Sequence, residues 1–346
     1  MGPAFTHDAP PQRVLFAAGA IERIGAETER LGMARAFVVA TPGSGARLGR
    51  RVLALLAARA AGLHDQAVLH VPKTVAEAGV AAARAAKADG LVAVGGGAAI
   101  GLAKAVALKT GSPILAVPTT YSGSEATPIF GTTDGERKIT GRDARVLPRT
   151  ILYDPDLTLG LPAAVSAASG MNAVAHCVEA FWAEGRTPMT LALASEAMRR
   201  LAKNLPAVVA DGTNAPARAE CLIGAWLAGT VLAAGTALHH KLAHVLGGLG
   251  LPHAETHAII LPHVMRFNLA AAPQARARLA EALGSDDPAQ AVDAMLRRFP
   301  IPQRLREVGF DAGKVDFVAD EIAAASIKAP QPATAEDVRQ ILRAAM

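Results

Sequence analysis

The stretch GLVAVGGGAAIGLAK, residues 90–104, decides how the first half of this chain folds. Leu91 to Val94 make a short apolar run, three glycines follow, and an alanine-rich segment with helical spacing begins at Ala98. A strand that turns through glycines into a helix gathers unpaired backbone N–H groups and the positive end of the helix dipole at one point. Glycine there lets a phosphate come close. Alone the motif is weak. Ile100 occupies the place of the third glycine in G-x-G-x-x-G, and a tight strand–helix turn without a ligand reads the same way.

Outward from this stretch the same alternation repeats. AFVVA (36–40), HDQAVLHV (64–71) and PILAVP (113–118) read as strands, with helical stretches at 46–61 and 75–88 between them. Connections of this length imply right-handed βαβ units and a parallel sheet covered on both faces. A second polar loop, PTTYSGSEAT (118–127), follows a strand at the carboxyl end, where α/β sheets bind ligands. Thr119, Thr120, Ser122 and Ser124 offer hydroxyls there; one of them as a plain helix N-cap is the ordinary alternative. TTDGERKITGRDARVLPRT (132–150) reads as an irregular excursion or hairpin, and ILYDPDLTLGLP closes the first domain.

Beyond about residue 163 the pattern turns helical, with windows at 163–184, 188–204, 215–247, 273–285, 287–299, 314–327 and 335–345. The expected architecture is an α/β domain with a parallel sheet over 1–159 and an all-α domain over 160–346. The expected cleft lies between them, with the phosphate loop on one wall and histidines on the other.

Those histidines are the second feature. Asn172 and His176 are four apart, as are His240 and His244, and His253 follows in a loop. Four residues on a helix put both side chains on one face. Two such pairs and a loop histidine can converge as a metal site does, yet position 172 holds a neutral amide where a divalent ion favours an acid. Six of the ten histidines fall between His239 and His263, too dense for scattered surface residues. His257 and His263, beside the apolar run AIILP, read as structural.

Composition narrows the classes. A chain of 346 residues, 51% hydrophobic, is long enough for two cores. The most apolar region is broken by glycines and Lys104, so no membrane span is read. MGPAFTHDAPPQR lacks a basic start before an apolar run, and two cysteines, Cys177 and Cys221, make no disulfide framework, which reads as cytoplasmic. A net charge of +5, spread out and poor in aromatics, argues against nucleic acid and for anionic small molecules.

Taken in order, GGG…K, PTTYSGSE, DPDLTLGLP, NAVAH, HHKLAH and LPHAETH resemble the iron-containing alcohol dehydrogenase family of the dehydroquinate-synthase-like superfamily. Within it the chain is more similar to the maleylacetate reductases. Gly101 where most of the family has Asp, the PTTYSGSE loop, the segment TGRDARVLPRTILYDP and Asn172 in place of an Asp ligand carry the narrower likeness, and HHKLAH with PHAETH accords with it. The resemblance implies a dinucleotide-binding α/β domain, a helical catalytic domain, NADH or NADPH as cofactor, a dicarboxylate substrate and a homodimer. It implies Gly95, Gly96 and Gly97 at the pyrophosphate and Thr119, Thr120 and Ser124 along the nicotinamide half. Asn172, His176, His240 and His253 fall at the four metal positions, and His244 faces the nicotinamide and substrate.

Two departures matter. Ala98 replaces the usual Ser after the glycines, and Thr41 follows VVA where many relatives carry an Asp, which leaves NADPH admissible. The implied reaction reduces the conjugated C=C of maleylacetate to give 3-oxoadipate, with His176, His240, His244 and His253 as donors to the developing enolate. Asn172, Lys241 and Arg142 are the candidate substrate contacts, with Arg145 and Arg149 as further cations. No divalent metal is expected to be required. The rival readings are a metal-dependent alcohol or polyol dehydrogenase, a lyase using NAD and zinc, and a non-catalytic nucleotide-binding module.

Overall fold

The computed structural model describes residues 5–9, 11–135, 137–325 and 327–346; sequence readings that touch residues 1–4, 10, 136 and 326 fall outside these. The chain divides into two units, Ala9–Leu161 and Pro162–Met346, the latter joined by the short stretch ending at Asp8. His7 belongs to that stretch, and its ring lies 3.3 Å from the Thr187 hydroxyl.

In the first unit, β1 (Arg13–Phe16), α1 (Ile24–Arg30), β2 (Ala36–Ala40), α2 (Ser44–Leu56), β3 (Ala60–His64), α3 (Lys73–Ala85), β4 (Gly90–Gly95), α4 (Gly97–Thr110) and β5 (Ile114–Pro118) lead to a hairpin. The hairpin is β6 (Ile129–Asp134) against β7 (Arg137–Arg142), and β8 (Thr150–Tyr153) ends the unit. Six strands form one parallel sheet in the order β1-β8-β5-β4-β2-β3. Its central strands are apolar throughout because both faces are covered. Alternate residues separate accordingly: Phe37, Val39, Leu91 and Ala93 enter one core, while Val38, Val92, Val94 and Leu115 enter the other.

The order positions a ligand crevice. From β2 the chain moves outward through α2 to β3, then returns to lay β4 on the other side of β2. The reversal leaves a switch point at the carboxyl ends of β2 and β4, where open α/β sheets take their ligands. Thr41 and Gly95–Gly97 stand at those two ends.

Several boundaries differ from the sequence reading. The helix expected over 46–61 stops at Leu56, because Ala57 adopts a positive φ of 49°. The strand expected over 64–71 is Ala60–His64 instead. Ala67 and Val71 beyond it are buried without pairing as a strand, and His70 and Val71 take positive φ values of 62° and 45°. β1 and β8, four residues each, had too little pattern to be read as strands.

The second unit contains α5 (Ala163–Ala180), α6 (Pro188–Ala210), α7 (Ala215–Val231), α8 (Leu238–Gly248), α9 (His253–Leu269), α10 (Pro273–Leu283), α11 (Pro288–Arg297), α12 (Val315–Ala324) and α13 (Ala335–Ala345), with no strand among the described residues. The window 215–247 is two helices, parted at Gly235 with φ 106°. α9 went unread because His253 was taken as a loop residue; the helix starts there and runs on through Pro262. The stretch Ala215–Ala234 is long and apolar enough to cross a membrane, yet 61% of its most apolar window is buried in the fold; it packs with α5 and α6 as a core helix. Both cysteines are buried and free.

Candidate active site

In the α/β unit, β4 ends at Gly95, whose φ of 138° excludes most side chains, and Gly96 caps α4 with no side-chain hydrogen bond. The first-turn N–H groups of α4 therefore remain available at the crevice, a cradle suited to a pyrophosphate. A Cβ on Gly96 would meet the Thr120 side chain at 2.7 Å, so the glycine turn and the second polar loop close on each other. The Thr119 amide donates to the Gly95 carbonyl at 3.1 Å, and the buried Ser122 hydroxyl has no partner among the described residues. Thr41 is half-buried at the end of β2, with its hydroxyl where a Cβ on Gly45 would fall.

The second loop has an internal anchor. Lys104, on α4, is fully buried and donates to the carbonyls of Ser124 (2.6 Å), Thr127 (2.9 Å) and Ile129 (2.7 Å) and to the Thr127 hydroxyl (3.1 Å). Burial pushes its ammonium down to about 7 against the pull of Glu125, and burial raises Glu125 in turn. Tyr153 donates to Glu125 at 2.7 Å. Ser124 thus serves Lys104 with its carbonyl, besides whatever its hydroxyl contributes. Gly101 has a local reason as well: a Cβ there would lie 2.9 Å from the Val71 Cγ2.

In the helical unit, Asn172, His176 and Glu179 share one face of α5. Glu179 was not singled out in the sequence, although its spacing from His176 was the available signal. Its carboxylate accepts from the Ala237 amide (2.9 Å), the His239 amide (2.8 Å) and the His240 Nδ1 (2.6 Å). It therefore fixes the start of α8 and one face of the His240 ring. Burial alone would raise this carboxyl, but the bond from His240 and the neighbouring charges hold it at about 2. An acceptor of that kind keeps the proton on His240 Nδ1 and turns Nε2 into the cluster.

The predicted histidines come together. The rings of His176 and His240 stack with centroids 5.1 Å apart, and those of His244 and His253 at 6.1 Å. His257, read as structural, is the hub: its ring is 4.8 Å from His240, 4.8 Å from His239 and 4.4 Å from His253. His253 is no loop residue but the first residue of α9, which puts His257 one turn on and on the same face. His263 stands apart beside Arg266, as expected of a structural residue. Burial first, then the neighbouring rings, drives His176 and His257 well below the usual histidine range and His239 to about 4. These three present neutral imidazoles.

A cavity of about 520 Å³ opens beside the cluster, lined by His244 and Lys241 together with Glu184, Gly235 and Lys328. The Lys241 side chain is exposed and makes no ion pair among the described residues. The arginine candidates fare differently. Arg142 is exposed at the end of β7, opposite Ile129. Arg145 is occupied: it grips the Asp143 carboxylate at 2.6 Å, and its hydrogen bonds pull that acid to about 2. Arg149 precedes β8 and borders a hollow with Arg13 and Arg30, at the amino ends of the strands and away from the glycine crevice. Arg149 is therefore set apart from the crevice, and the exposed Arg145 is engaged by Asp143.

Residues 11–155 match the family model for iron-containing alcohol dehydrogenase, and residues 166–346 match the C-terminal model of the Fe-containing alcohol dehydrogenase family. The chain belongs to the iron-containing alcohol dehydrogenase family. A maleylacetate reductase of Cupriavidus pinatubonensis is 49% identical, with 97% of this chain and 94% of that protein covered. The crystal structure of a maleylacetate reductase from Agrobacterium tumefaciens is 41% identical with a TM-score of 0.94, covering 100% of this chain and 99% of that one. A crystal structure from Ralstonia eutropha, whose protein is named an alcohol dehydrogenase, is 46% identical with a TM-score of 0.97 and covers 99% and 98%.

The family name raises the question of a metal. Asn172 Oδ1, His176 Nδ1 and His240 Nε2 are buried and have no hydrogen-bond partner among the described residues. Such lone pairs suit a divalent ion but bring no negative charge, and the described histidines whose ring nitrogens all lie within 4.8 Å of one another are His239, His240 and His257, a different set from the expected Asn172, His176, His240 and His253.

Proposed function

We propose that this enzyme reduces maleylacetate to 3-oxoadipate with a nicotinamide cofactor. The reading rests on near-full-length similarity to maleylacetate reductases, and the cavity shared by Lys241 and His244 is the geometry that carries it. Hydride passes from the reduced nicotinamide to the alkene carbon β to the ketone, and the π electrons move onto the ketone oxygen as an enolate. Protonation at the α carbon completes the saturated product, and the nicotinamide leaves oxidised. Lys241 binds one substrate carboxylate by a charge-assisted hydrogen bond. His244, half-buried at the cavity, delivers the α-carbon proton, a task an imidazole performs because its ring nitrogens can both donate and accept. The neutral ring of His176, stacked on His240, has one N–H to turn toward the enolate oxygen, a donor of the kind that typically contributes a few kcal/mol, while Glu179 holds the His240 ring in place.

Gly95–Gly97 hold the cofactor pyrophosphate, and Thr119, Thr120 and Ser124 lie along its nicotinamide half. Thr41 carries no charge to repel a ribose phosphate, so both NADH and NADPH are used. A metal held by Asn172, His176, His240 and His253 would supply Lewis-acid polarisation of the ketone oxygen. The enolate spreads its charge over carbon and oxygen, and turnover does not require that help. The unpartnered lone pairs at Asn172, His176 and His240 favour one second reading, a metal-dependent alcohol dehydrogenase.

The experiment follows nicotinamide absorbance with purified protein, maleylacetate and either NADH or NADPH, and identifies the product. We expect 3-oxoadipate, with the two cofactors differing by less than about a hundredfold because no charged contact enforces more. Rapid turnover of ethanol or glycerol with none of maleylacetate would sink the proposal.

A further inference from the structure

The cavity beside His244 holds a second lysine that the proposed reaction has not used. Lys328 follows the end of α12 and lines the same wall space as Lys241, and its ammonium is paired with the Glu184 carboxylate. Glu184 itself is held in place from below. The next residue, Gly185, donates its amide to the Ala234 carbonyl at 3.0 Å, and a Cβ on Gly185 would meet that oxygen at 2.9 Å. Three charged side chains therefore face one cavity: two ammonium groups and one carboxylate.

We propose that Lys328 is the second carboxylate-binding residue, and that Glu184 is a placeholder the substrate displaces. The inference rests on the dicarboxylate reading above and names the residue that takes the second acid group. A ligand with two negative charges complements Lys241 and Lys328 together, whereas Glu184 leaves the cavity one charge short of that match. Both partners of the Lys328–Glu184 pair are exposed, at 72% and 66%. Pairs in such surroundings contribute little, so exchanging the Glu184 carboxylate for a substrate carboxylate costs little. The exchange makes Lys328 a specificity device: a monocarboxylate or a simple alcohol leaves the clasp shut, and a dicarboxylate of the right span opens it. No bond is made or broken in this step beyond the ion pairs.

Calorimetry tests it, with the product 3-oxoadipate titrated into the enzyme saturated with oxidised cofactor, alongside maleylacetate kinetics. The proteins are the wild type, Lys328→Ala, Lys328→Arg and Glu184→Gln, each checked for an unchanged thermal midpoint. Lys328→Ala is expected to weaken 3-oxoadipate binding and raise KM about tenfold, the usual scale for one lost charge-assisted contact, with the KM for NADH unchanged. Lys328→Arg restores part of the loss, and Glu184→Gln tightens binding a few-fold. Wild-type turnover combined with unchanged binding in Lys328→Ala, or weaker binding in Glu184→Gln, overturns the inference while leaving the reductase reading intact. A wild type that neither turns over maleylacetate nor binds 3-oxoadipate overturns both.

Discussion

Asn172 is the residue on which the chemistry turns. An amide oxygen coordinates a divalent ion more weakly than a carboxylate does, and no other acid takes over: Glu179, the nearest on the same helix face, is already spent on three backbone or ring donors. The remaining donors are imidazoles, and burial drives His176 among them well below the usual histidine range. We therefore expect maleylacetate turnover to persist after treatment with a strong chelator, in protein purified without a histidine tag. Abolition of activity by the chelator and its return with iron or zinc would show that Asn172 is a working ligand. At this scale the four-residue spacings made Asn172, His176, His240 and His244 legible in the sequence. His257 was not, because its apolar neighbours AIILP suggested a buried structural role, and burial is equally what a site hub shows. Lys328 carries no pattern at all; only the fold brings it beside Lys241. Arg145 could not be judged from sequence, since a spacing of two residues does not say whether Asp143 turns toward it or toward water.

At the scale of elements, α8 depends on an acid from another helix. Its N-terminus has no side-chain cap of its own, and the Glu179 carboxylate receives the amides of Ala237 and His239 in that role. Replacing Glu179 by Gln keeps the shape but removes the charge and turns one acceptor into a donor facing amides. The expected cost is about 1–3 kcal/mol of stability, the usual penalty for leaving buried polar groups mismatched. It should be read as a lower thermal midpoint together with a lower kcat, because the His240 ring loses the acceptor that orients it. Lost stability with an unaltered kcat would restrict Glu179 to a structural cap. Several helices and strands were legible from pattern alone: AFVVA, GLVAV and the windows 163–184, 273–285, 287–299 and 335–345 are close to the observed elements. Legibility failed where a single backbone angle decides, as at Ala57 and Gly235, and where a four-residue strand such as β1 gains its identity only from its neighbour β8.

Across the whole molecule, the two units answer acid differently. The division into an α/β half and a helical half was readable from the change in pattern, whereas the strand order was not, since it depends on pairings far apart in sequence. Buried histidines are equally uneven. His176, His239, His257 and His263 in the helical unit all lie below the ordinary value, with His239 and His263 at about 4, mainly through burial; in the α/β unit His64 is shifted the same way. An unfolded chain takes up these protons near pH 6.5, while the folded helical unit resists them. Between about 6.5 and 4 the unfolded state therefore binds more protons, and stability falls as pH falls. Glu179 extends the loss downward from its ordinary 4.5 to about 2. Glu125, raised by burial in the α/β unit, acts in the opposite sense, since its folded form holds the extra proton. Fluorescence can separate the two responses, because both tryptophans, Trp182 and Trp226, belong to the helical unit. Thermal unfolding of chelator-treated protein, followed by tryptophan emission, should show its midpoint fall by several degrees between pH 7.5 and pH 5.5. Each kcal/mol lost lowers the midpoint by about 2–4 °C in a domain of this size. A midpoint that stays level or rises over that range would mean the histidine cluster already carries protons in the folded protein, and the neutral-imidazole picture of the site would fail with it.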